Sequence, residues 1–287
     1  MTHYALLVGA GNTVFPATAF VELTSGTSTF TVPQGANAIH IQYAVGGGGG
    51  AVCGADYDGA GGESQGPGGG SGAYVSDKII TVTESETITY AIGAAGTQGN
   101  ALIGPPVSGN RYNTTAGTGG STTLTGDSTG SLITLTGGAG SKGLGGSVTS
   151  LRTNSTGAAG TATIDGTAIT SGNFIESDYS IAAVDTNTSG PTSTFNDSND
   201  GNAGDITGSG NCSGNNCRIN GGTGGSSYGT TIAGGAGGSS SGSGTNGTAG
   251  TRGSGGGGGS AQTTGAPFTD GSAGGAGELK YRFINVT

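Results

Sequence analysis

Residues 38–50, Ala-Ile-His-Ile-Gln-Tyr-Ala-Val followed by five consecutive glycines, decide the fold of this chain. In the first part, apolar or aromatic side chains alternate with polar ones: Ile39, Ile41 and Tyr43 against His40 and Gln42. A period of two is typical of a β-strand with one buried face. Glycine runs are ordinarily linkers, because glycine loses the most backbone entropy on folding and buries no side chain. Here the run directly follows a strand, which indicates an exit from a sheet.

Glycine dominates the rest of the chain as well. It supplies 68 of the 287 residues, and further runs lie at 68–72, 137–140 and 255–259. Charged residues make up only 9 %, whereas chains that stay disordered are usually highly charged. There is no strict Gly-X-Y period and there are only seven prolines, so the sequence is not collagen.

The charge balance excludes two classes of partner. The net charge is −9, and the eight Lys and Arg are scattered singly. Nucleic acids and anionic membrane surfaces require clustered positive charge, so we expect neither as a partner. No run of 18 apolar residues predicts membrane insertion. The first residues lack the basic n-region of a secretory signal, so we expect synthesis in a cytoplasm without a signal peptide.

Short β runs separated by turn residues predict an all-β fold. The runs lie at 19–24, 28–32, 38–45, 73–82, 87–92, 121–125, 131–136 and 278–286. We interpret 73–82 with 87–92 as one hairpin and 121–125 with 131–136 as another. In the last run, Leu279, Tyr281 and Phe283 alternate with Lys280 and Arg282. The pattern predicts a β-sandwich or jelly-roll with long glycine-rich loops and essentially no α-helix.

The glycine runs interrupt this predicted sandwich, since the chain leaves after one strand and returns at the next. They are therefore expected to lie together at one end of the sheets. Backbones without Cβ atoms can pack closely as polyglycine-II helices, which resemble polyproline II and bond to each other through N–H and C=O groups. An ordered bundle and mobile loops both remain open.

Four regions follow from this organisation. Residues 1–19 form an N-terminal segment, and residues 20–146 form the sandwich with its glycine-rich insertions. Residues 147–220 are richer in Thr, Asn and Asp and form either an excursion or a small β subdomain. Residues 221–287 add glycine-rich loops and a final strand that closes the sandwich.

No cofactor or metal is predicted. Cys212 and Cys217, separated by a turn-forming Ser-Gly-Asn-Asn, could form a local disulfide or remain two free thiols. The two histidines and three cysteines are too few and too dispersed for zinc. The segment from Asn196 to Asp200 resembles the start of a calcium loop, but Thr207 stands where a bidentate Glu is needed, so a polar Asx-turn is the alternative.

The sequence offers no catalytic constellation. Paired carboxylates such as Asp56 and Asp58 lie in a glycine-rich loop that neither fixes their separation nor excludes water. Serines have no histidine placed to activate them. We predict that the chain is not an enzyme.

Isolated aromatic residues in the loops are the candidates for recognition. An aromatic side chain on a loop brings a large contact area at low entropy cost. The alternative is that each fills a small gap in an aromatic-poor fold. The predicted receptor-binding residues are Tyr57 with its neighbour Asp58, Tyr112, Tyr179, Tyr228 and Phe268.

Three stretches together resemble the glycine-rich domain of bacteriophage tail-fibre proteins. They are Thr29-Phe-Thr-Val-Pro-Gln-Gly-Ala with residues 39–50, Gly70-Ser-Gly-Ala-Tyr-Val with residues 87–93, and Gly274-Gly-Ala-Gly before the final strand. The chain is more distantly similar to tail-tip adhesins whose polyglycine-II bundles present variable loops. Residues 147–220 depart from the resemblance.

The resemblance implies a virion appendage, a tail fibre or receptor-binding adhesin. Its loops would recognise a host-surface glycan or outer-membrane protein, and it would contact other virion proteins, with a homo-oligomer allowed. Two alternatives stay open: an architectural capsid decoration or tail component without receptor binding, and an ice-binding polyglycine-II bundle.

Overall fold

The computed structural model describes residues 17–50, 67–99, 113–144, 157–164, 167–169, 218–219, 221–227, 232–239, 245–259, 261–262 and 269–286. These ranges contain β-strands and no helix. The strands are β1 (Val21–Leu23), β2 (Thr27–Thr31), β3 (Ala38–Val45), β4 (Tyr74–Thr81), β5 (Thr87–Ala91), β6 (Asn113–Thr115), β7 (Thr122–Gly126), β8 (Gly130–Leu135), β9 (Lys142–Leu144), β10 (Ala162–Ile164), β11 (Thr167–Ile169), β12 (Arg218–Ile219), β13 (Ala261–Gln262) and β14 (Glu278–Ile284).

Two antiparallel sheets form a sandwich. The first has the order β1-β14-β3-β4, and the second has the order β11-β10-β8-β7-β5-β2. Two-stranded ribbons, β6-β9 and β12-β13, lie outside the sandwich sheets. The predicted all-β sandwich is thus confirmed, with strands β10 and β11 contributed by the Thr- and Asn-rich part of the chain.

The core lies between the two sheets. One face of each strand supplies it, as the period of two requires. The largest fully buried side chains are Ile39, Ile41, Ile80, Ile88, Leu124, Ile133, Leu135, Leu279, Val32 and Val75. The aromatic ring of Phe30 stacks on Tyr281 with 4.7 Å between ring centroids, which links the edge of the second sheet to β14, one of the two central strands of the first.

One predicted hairpin is confirmed and the other is wrong. Strands β7 and β8 pair as expected. Strand β4, however, pairs with β3, whereas β5 pairs with β2 and β7 in the other sheet. Residues 82–86 therefore cross between the layers, and Ser85 donates a 3.0 Å hydrogen bond to the carbonyl of Val32. A short turn between two amphipathic runs suits a hairpin and a crossing equally well, so local pattern does not distinguish them.

A β-bulge corrects the predicted alternation in β3. Ile41 pairs with Tyr281 and Tyr43 pairs with Lys280, so Gln42 is an extra residue on the β3 side. After a bulge the side chains change faces. Ile39 and Ile41 point into the core as predicted, but Tyr43 lies on the outer face with Lys280, and Ala44 is buried in its place.

A buried carboxylate joins two turns at the end of the sandwich opposite the glycine runs. Glu86 is 3 % exposed. Its oxygens accept hydrogen bonds from the amides of Thr83 (3.0 Å), Ser128 (3.0 Å) and Thr129 (2.6 Å), and from the Thr129 hydroxyl (2.7 Å). Burial alone would raise the pKa of Glu86, but these donors outweigh it and hold the pKa below its ordinary value.

Candidate functional site

The glycine segments meet at one end of the sandwich. They follow the carboxyl ends of β3, β5 and β8 and precede the amino ends of β4, β7, β10 and β14. Because neighbouring strands are antiparallel, these ends lie on the same side. We call the assembly the glycine bundle, comprising residues 46–50, 67–73, 93–98, 116–120, 136–141, 157–161, 221–225, 234–238, 247–250, 254–258 and 272–277. The prediction that the glycine runs lie together is confirmed for the described residues.

Residues 46–50 form the central segment of the bundle, and their amides donate with a period of three. The donor–acceptor pairs are Gly46–Ala73 and Gly49–Gly70, then Gly47–Gly120 and Gly50–Gly117, then Gly48–Gly275, all at 2.8 to 2.9 Å. Residues i and i+3 thus face the same neighbouring segment. Three residues per turn without internal hydrogen bonds is the geometry of polyproline II.

The carbonyls of the central segment repeat the pattern toward other neighbours. Gly47 and Gly50 accept from Gly138 and Ser141, Gly48 accepts from Gly96, and Gly49 accepts from Gly256. The central segment is therefore surrounded by six others: 67–73, 116–120 and 272–277 as acceptors, and 93–98, 136–141 and 254–258 as donors. This is the hydrogen-bonded packing expected of a polyglycine-II bundle, and it replaces a hydrophobic core.

Side chains cannot enter this interior. A Cβ atom on Gly47, Gly48 or Gly49 would overlap the carbonyl oxygen of Ala94, Ser254 or Ala139 respectively. These oxygens belong to backbones fixed by their own hydrogen bonds, so they cannot move aside cheaply. The glycine requirement is therefore one of backbone-to-backbone distance.

Threonine hydroxyls complete the hydrogen bonding where the bundle meets solvent. Thr248 Oγ1 accepts from the amide of Ala236 at 2.6 Å, and Thr245 Oγ1 accepts from the amide of Ser239 at 2.8 Å. The spacing of three places both hydroxyls on one neighbouring segment. At the base of the bundle, Thr122 Oγ1 accepts from Gly93 and donates to Val45, which closes the transition from sheet to bundle.

The distal end of the bundle, remote from the sandwich, is the candidate recognition site. Gly50 donates to Gly117, Gly117 donates to Thr97, and Ser141 donates to Gly50. The Ser141 hydroxyl also donates to the carbonyl of Pro67 at 2.8 Å. The positions at which the chain departs toward 51–66, 100–112 and 145–156 therefore lie side by side. Ribbons β6-β9 and β12-β13 continue from this same end.

The described chain ends lie at the opposite, proximal end of the sandwich. The amide of Thr18 donates to the carbonyl of Phe283, and the side chain of Asn37 donates to the carbonyl of Val286 at 2.8 Å. Residues 33–37 form the turn between β2 and β3, which is remote from the bundle. The described chain ends therefore lie at the proximal end, and the points at which the chain departs toward 51–66, 100–112 and 145–156 lie at the distal end.

All predicted site residues lie outside the described ranges and remain predictions. They are Tyr57, Asp58, Tyr112, Tyr179, Tyr228 and Phe268, together with Cys212 and Cys217 and the calcium candidates Asn196 and Asp200. The described residues nevertheless place the points of departure. The intervals that hold Tyr57, Asp58 and Tyr112 both start and finish at the distal end of the bundle.

A charged cluster on the outer face of the first sheet was not predicted from the sequence. Glu278 accepts a 3.0 Å hydrogen bond from the Tyr43 hydroxyl and lies 3.1 Å from Arg252 Nε. Lys280 Nζ lies 3.5 Å from Glu22. The only sequence signal was the alternation of Glu278 and Lys280 with core residues, since pairing with Arg252 depends on how the bundle turns back onto the sheet.

Burial and neighbouring groups shift the pKa values in this cluster. Burial, followed by a hydrogen bond with Glu22, raises the pKa of Glu278. That same hydrogen bond lowers the pKa of Glu22, and Lys280 lowers it further. Burial and the Glu278 carboxyl raise the pKa of Tyr43. Tyr43 therefore stays a hydrogen-bond donor at physiological pH.

Metal-binding clusters and membrane-spanning helices are both absent from the described ranges. No group of three or more His, Cys, Asp or Glu side chains there could hold a metal ion. Nor does this part of the chain include a helix long and apolar enough to span a bilayer.

Comparison with known proteins identifies the family. No curated protein matches the sequence. The family model described as a glycine-rich domain matches residues 23–283, which include the glycine bundle and both sheets except for Val21, Glu22 and Ile284. The chain therefore belongs to the glycine-rich domain family.

Proposed function

We propose that this chain is a non-enzymatic virion structural protein, a tail-fibre or receptor-binding adhesin that contacts a host-surface molecule through segments displayed at the distal end of its glycine bundle. The observation that carries the proposal is the lateral bonding of Gly50, Gly117, Thr97 and Ser141 at one level of the bundle. Because the chain departs toward 51–66, 100–112 and 145–156 from one level, a single binding partner could contact all three segments.

A hydrogen-bonded bundle suits such a display. The four glycines from Gly47 to Gly50 are each tied to neighbouring segments through the amide and the carbonyl, so the point at which the chain departs toward 51–66 is fixed. Loops held by a rigid scaffold lose less entropy on binding, and their sequences can vary without disturbing the fold. A separation between a rigid scaffold and variable loops accounts for the composition of the chain, in which glycine fills the interior of the bundle and aromatic residues occur mainly in strands and connecting segments.

The two ends of the molecule differ in a way that suits attachment to the virion at the proximal end and recognition of the host at the distal end. The described chain ends at Thr18 and Val286 bond to the proximal side of the sandwich. Contacts with other virion proteins would be made there, and the distal surface would face a host glycan or outer-membrane protein. A homo-oligomer is compatible with this arrangement.

Adsorption by loop variants tests the proposal. Residues 53–64 are replaced by a Gly-Ser linker of equal length, and binding of the purified protein to a panel of bacterial cells is measured by flow cytometry. A matched control carries Thr89→Ser on the outer face of the second sheet. We expect the loop variant to lose binding while its unfolding temperature stays that of the control.

Binding that survives replacement of each distal segment in turn would contradict the proposal. Protein that binds no cells and occupies a ring or lattice of fixed copy number on a particle would favour the architectural alternative. Either outcome leaves the fold assignment intact, because the unfolding temperature reports on the sandwich separately.

One observation favours the ice-binding alternative. Thr245, Thr248 and Thr251 are exposed at a spacing of three on one outer segment, which makes a regular row of hydroxyl and methyl groups. Two of these hydroxyls also accept backbone amides. A thermal-hysteresis measurement tests this alternative. Freezing-point depression beyond the colligative value would support ice binding, and a purely colligative depression would rule ice binding out.

A further inference from the structure

The turn at 251–254 holds an unusual backbone conformation where the bundle meets the first sheet. Ser254 donates to the carbonyl of Thr251 at 2.9 Å, while Arg252 and Gly253 both have positive φ, 44° and 74°. Glycine adopts that region freely, but a side chain as large as arginine is uncommon there. Contacts made by Arg252 must therefore compensate for its conformation.

Those contacts fasten the turn to the sheet. Arg252 Nε lies 3.1 Å from Glu278 Oε2, and Glu278 Oε1 accepts from Tyr43 at 3.0 Å. The Ser227 hydroxyl donates to the carbonyl of Arg252 at 2.7 Å. The Glu278 side chain is 4 % exposed, whereas Arg252 is 56 % exposed, so the carboxyl is fixed in the protein and the arginine can leave it for water.

All four strands of the first sheet and the turn at 251–254 contribute a titratable or charged group near Glu278. Strand β1 supplies Glu22, β3 supplies Tyr43, β14 supplies Lys280, and the turn supplies Arg252. Strand β4 supplies Tyr74, which is buried beside Val45 in the same row of the sheet as Glu278.

The Glu22 and Glu278 carboxyls can share a hydrogen bond only when one of them holds a proton, since two carboxylates are both acceptors. Burial raises the pKa of Glu278, and the neighbouring Glu22 carboxyl raises it further, so Glu278 takes up a proton at a higher pH than an ordinary glutamate does. Because Glu22 has a lowered pKa, it accepts that hydrogen bond as a carboxylate.

We propose that Glu278 and Arg252 form a proton-operated clasp, in which proton uptake by Glu278 releases the turn at 251–254 from the first sheet. Protonation removes the negative charge with which Arg252 pairs. The protonated carboxyl can also donate a hydrogen bond to the Glu22 carboxylate, which the ionised carboxyl cannot do. The inference concerns the base of the bundle and does not depend on what the distal end binds.

The linkage has a definite sign. The positive charge of Arg252 stabilises the ionised form of Glu278. By reciprocity, ionised Glu278 stabilises the state in which the turn at 251–254 is attached to the first sheet. Since the pKa of Glu278 is raised, release occurs at a higher pH than an ordinary glutamate would give. A group whose pKa is raised in the folded state stabilises the whole fold at pH values below its unfolded-state pKa. That contribution is lost as the pH rises through its folded-state pKa. Acid therefore loosens the turn locally without unfolding the sandwich.

Release would affect the part of the bundle that adjoins the turn. The turn joins segments 247–250 and 254–258, and Gly256 donates to Gly49 in the central segment. Gly253 itself donates to Ala276 and accepts from Gly72. These amides report on the opening of the turn.

Hydrogen exchange tests the clasp on the full chain. Exchange of the Gly253 and Ser254 amides is followed by NMR between pH 8 and pH 4 and corrected for intrinsic chemistry. We expect their protection to fall about tenfold on acidification, as loss of one charge-assisted hydrogen bond implies. Protection of Gly119 and Gly138, deeper in the bundle, should stay unchanged in the same sample.

Two variants separate a clasp from a purely structural contact. Arg252→Gly keeps a residue suited to positive φ and should abolish the pH dependence while the turn still forms. Glu22→Gln should move the midpoint of the transition to lower pH, because the neighbouring negative charge is gone. Protection that does not change with pH in the natural sequence, or a pH dependence that persists in Arg252→Gly, would overturn the proposal.

Discussion

The amide of Gly49 donates a 2.8 Å hydrogen bond to the carbonyl of Gly70, in two segments that continue directly from the paired strands β3 and β4. The antiparallel pairing thus does not stop where the glycines begin. In the sheet, each strand bonds to two neighbours in one plane. In the bundle, the same chain turns through a third of a circle per residue and bonds to six neighbours.

Exchange of the central glycine amides should distinguish this bundle from a set of linkers. Gly47, Gly48 and Gly49 all donate to buried carbonyls. We expect their exchange by NMR to be as slow as that of amides in β3, because opening them requires several segments to separate. The exposed turn residue Gly26 provides a reference for fast exchange in the same spectrum. Exchange of Gly48 as fast as that of Gly26 would show that the bundle is not formed.

Adding one methyl group at the centre should destabilise the whole domain. In Gly48→Ala the new Cβ overlaps the carbonyl of Ser254, and neither backbone can move without breaking hydrogen bonds. We expect a loss of about 3 kcal/mol or more, the upper range for overpacking, and a fall in unfolding temperature of about 6–12 °C.

Ala249→Ser is the matched control for that variant, because Ala249 is exposed on an outer segment. It should shift the unfolding temperature by about 1 °C or less, as surface substitutions usually do. Equal shifts for the two variants, measured by differential scanning calorimetry, would contradict close packing at Gly48.

Threonine hydroxyls at the surface of the bundle should each contribute like a single hydrogen bond. Thr248→Val keeps the shape and removes the acceptor for the Ala236 amide. We expect a loss of about 1 kcal/mol in urea denaturation and faster exchange at Ala236. Thr248→Ser retains the hydroxyl and should leave exchange at that amide close to its original rate. Unchanged exchange in Thr248→Val would mean that water substitutes fully for the hydroxyl.

Local features of the sequence were sufficient to predict the grouping of the glycine runs and eight of the fourteen strands in the described residues, β1–β5, β7, β8 and β14. The alternation of Ile39 and Ile41 with His40 is a property of consecutive residues, and so is the abrupt change to glycine after Val45. The period of two and the position of the run follow from adjacent residues alone, so both could be inferred without knowing the partners of the strand.

Features that depend on distant partners could not be predicted. The bulge at Gln42 exists because Tyr281 and Lys280 in β14 pair with Ile41 and Tyr43, and nothing in β3 itself marks it. The contact of Arg252 with Glu278 requires the turn at 251–254 to return to the sheet. In the bundle, recognition is between backbones, so one glycine carries no information about which segment it will meet.

The buried carboxylate of Glu86 should make the proximal turns sensitive to acid. Its pKa is lowered in the folded state, because four hydrogen-bond donors outweigh burial. A carboxyl whose pKa is lowered in the folded state contributes stability at pH values above its unfolded-state pKa, near 4.3. That contribution is lost as the pH falls through its folded-state pKa. We therefore expect Glu86→Gln to be destabilised by about 1–3 kcal/mol at pH 7, the range for a buried hydrogen-bonding group left unsatisfied. The difference in stability from the natural sequence should shrink as the pH of urea denaturation is lowered from 7 to 3.

Glu84→Gln, at an exposed position of the same turn, is the control and should leave stability at pH 7 unchanged. A deficit in Glu86→Gln that stays constant across this pH range would show that shape, and not the charge of Glu86, holds the two turns together.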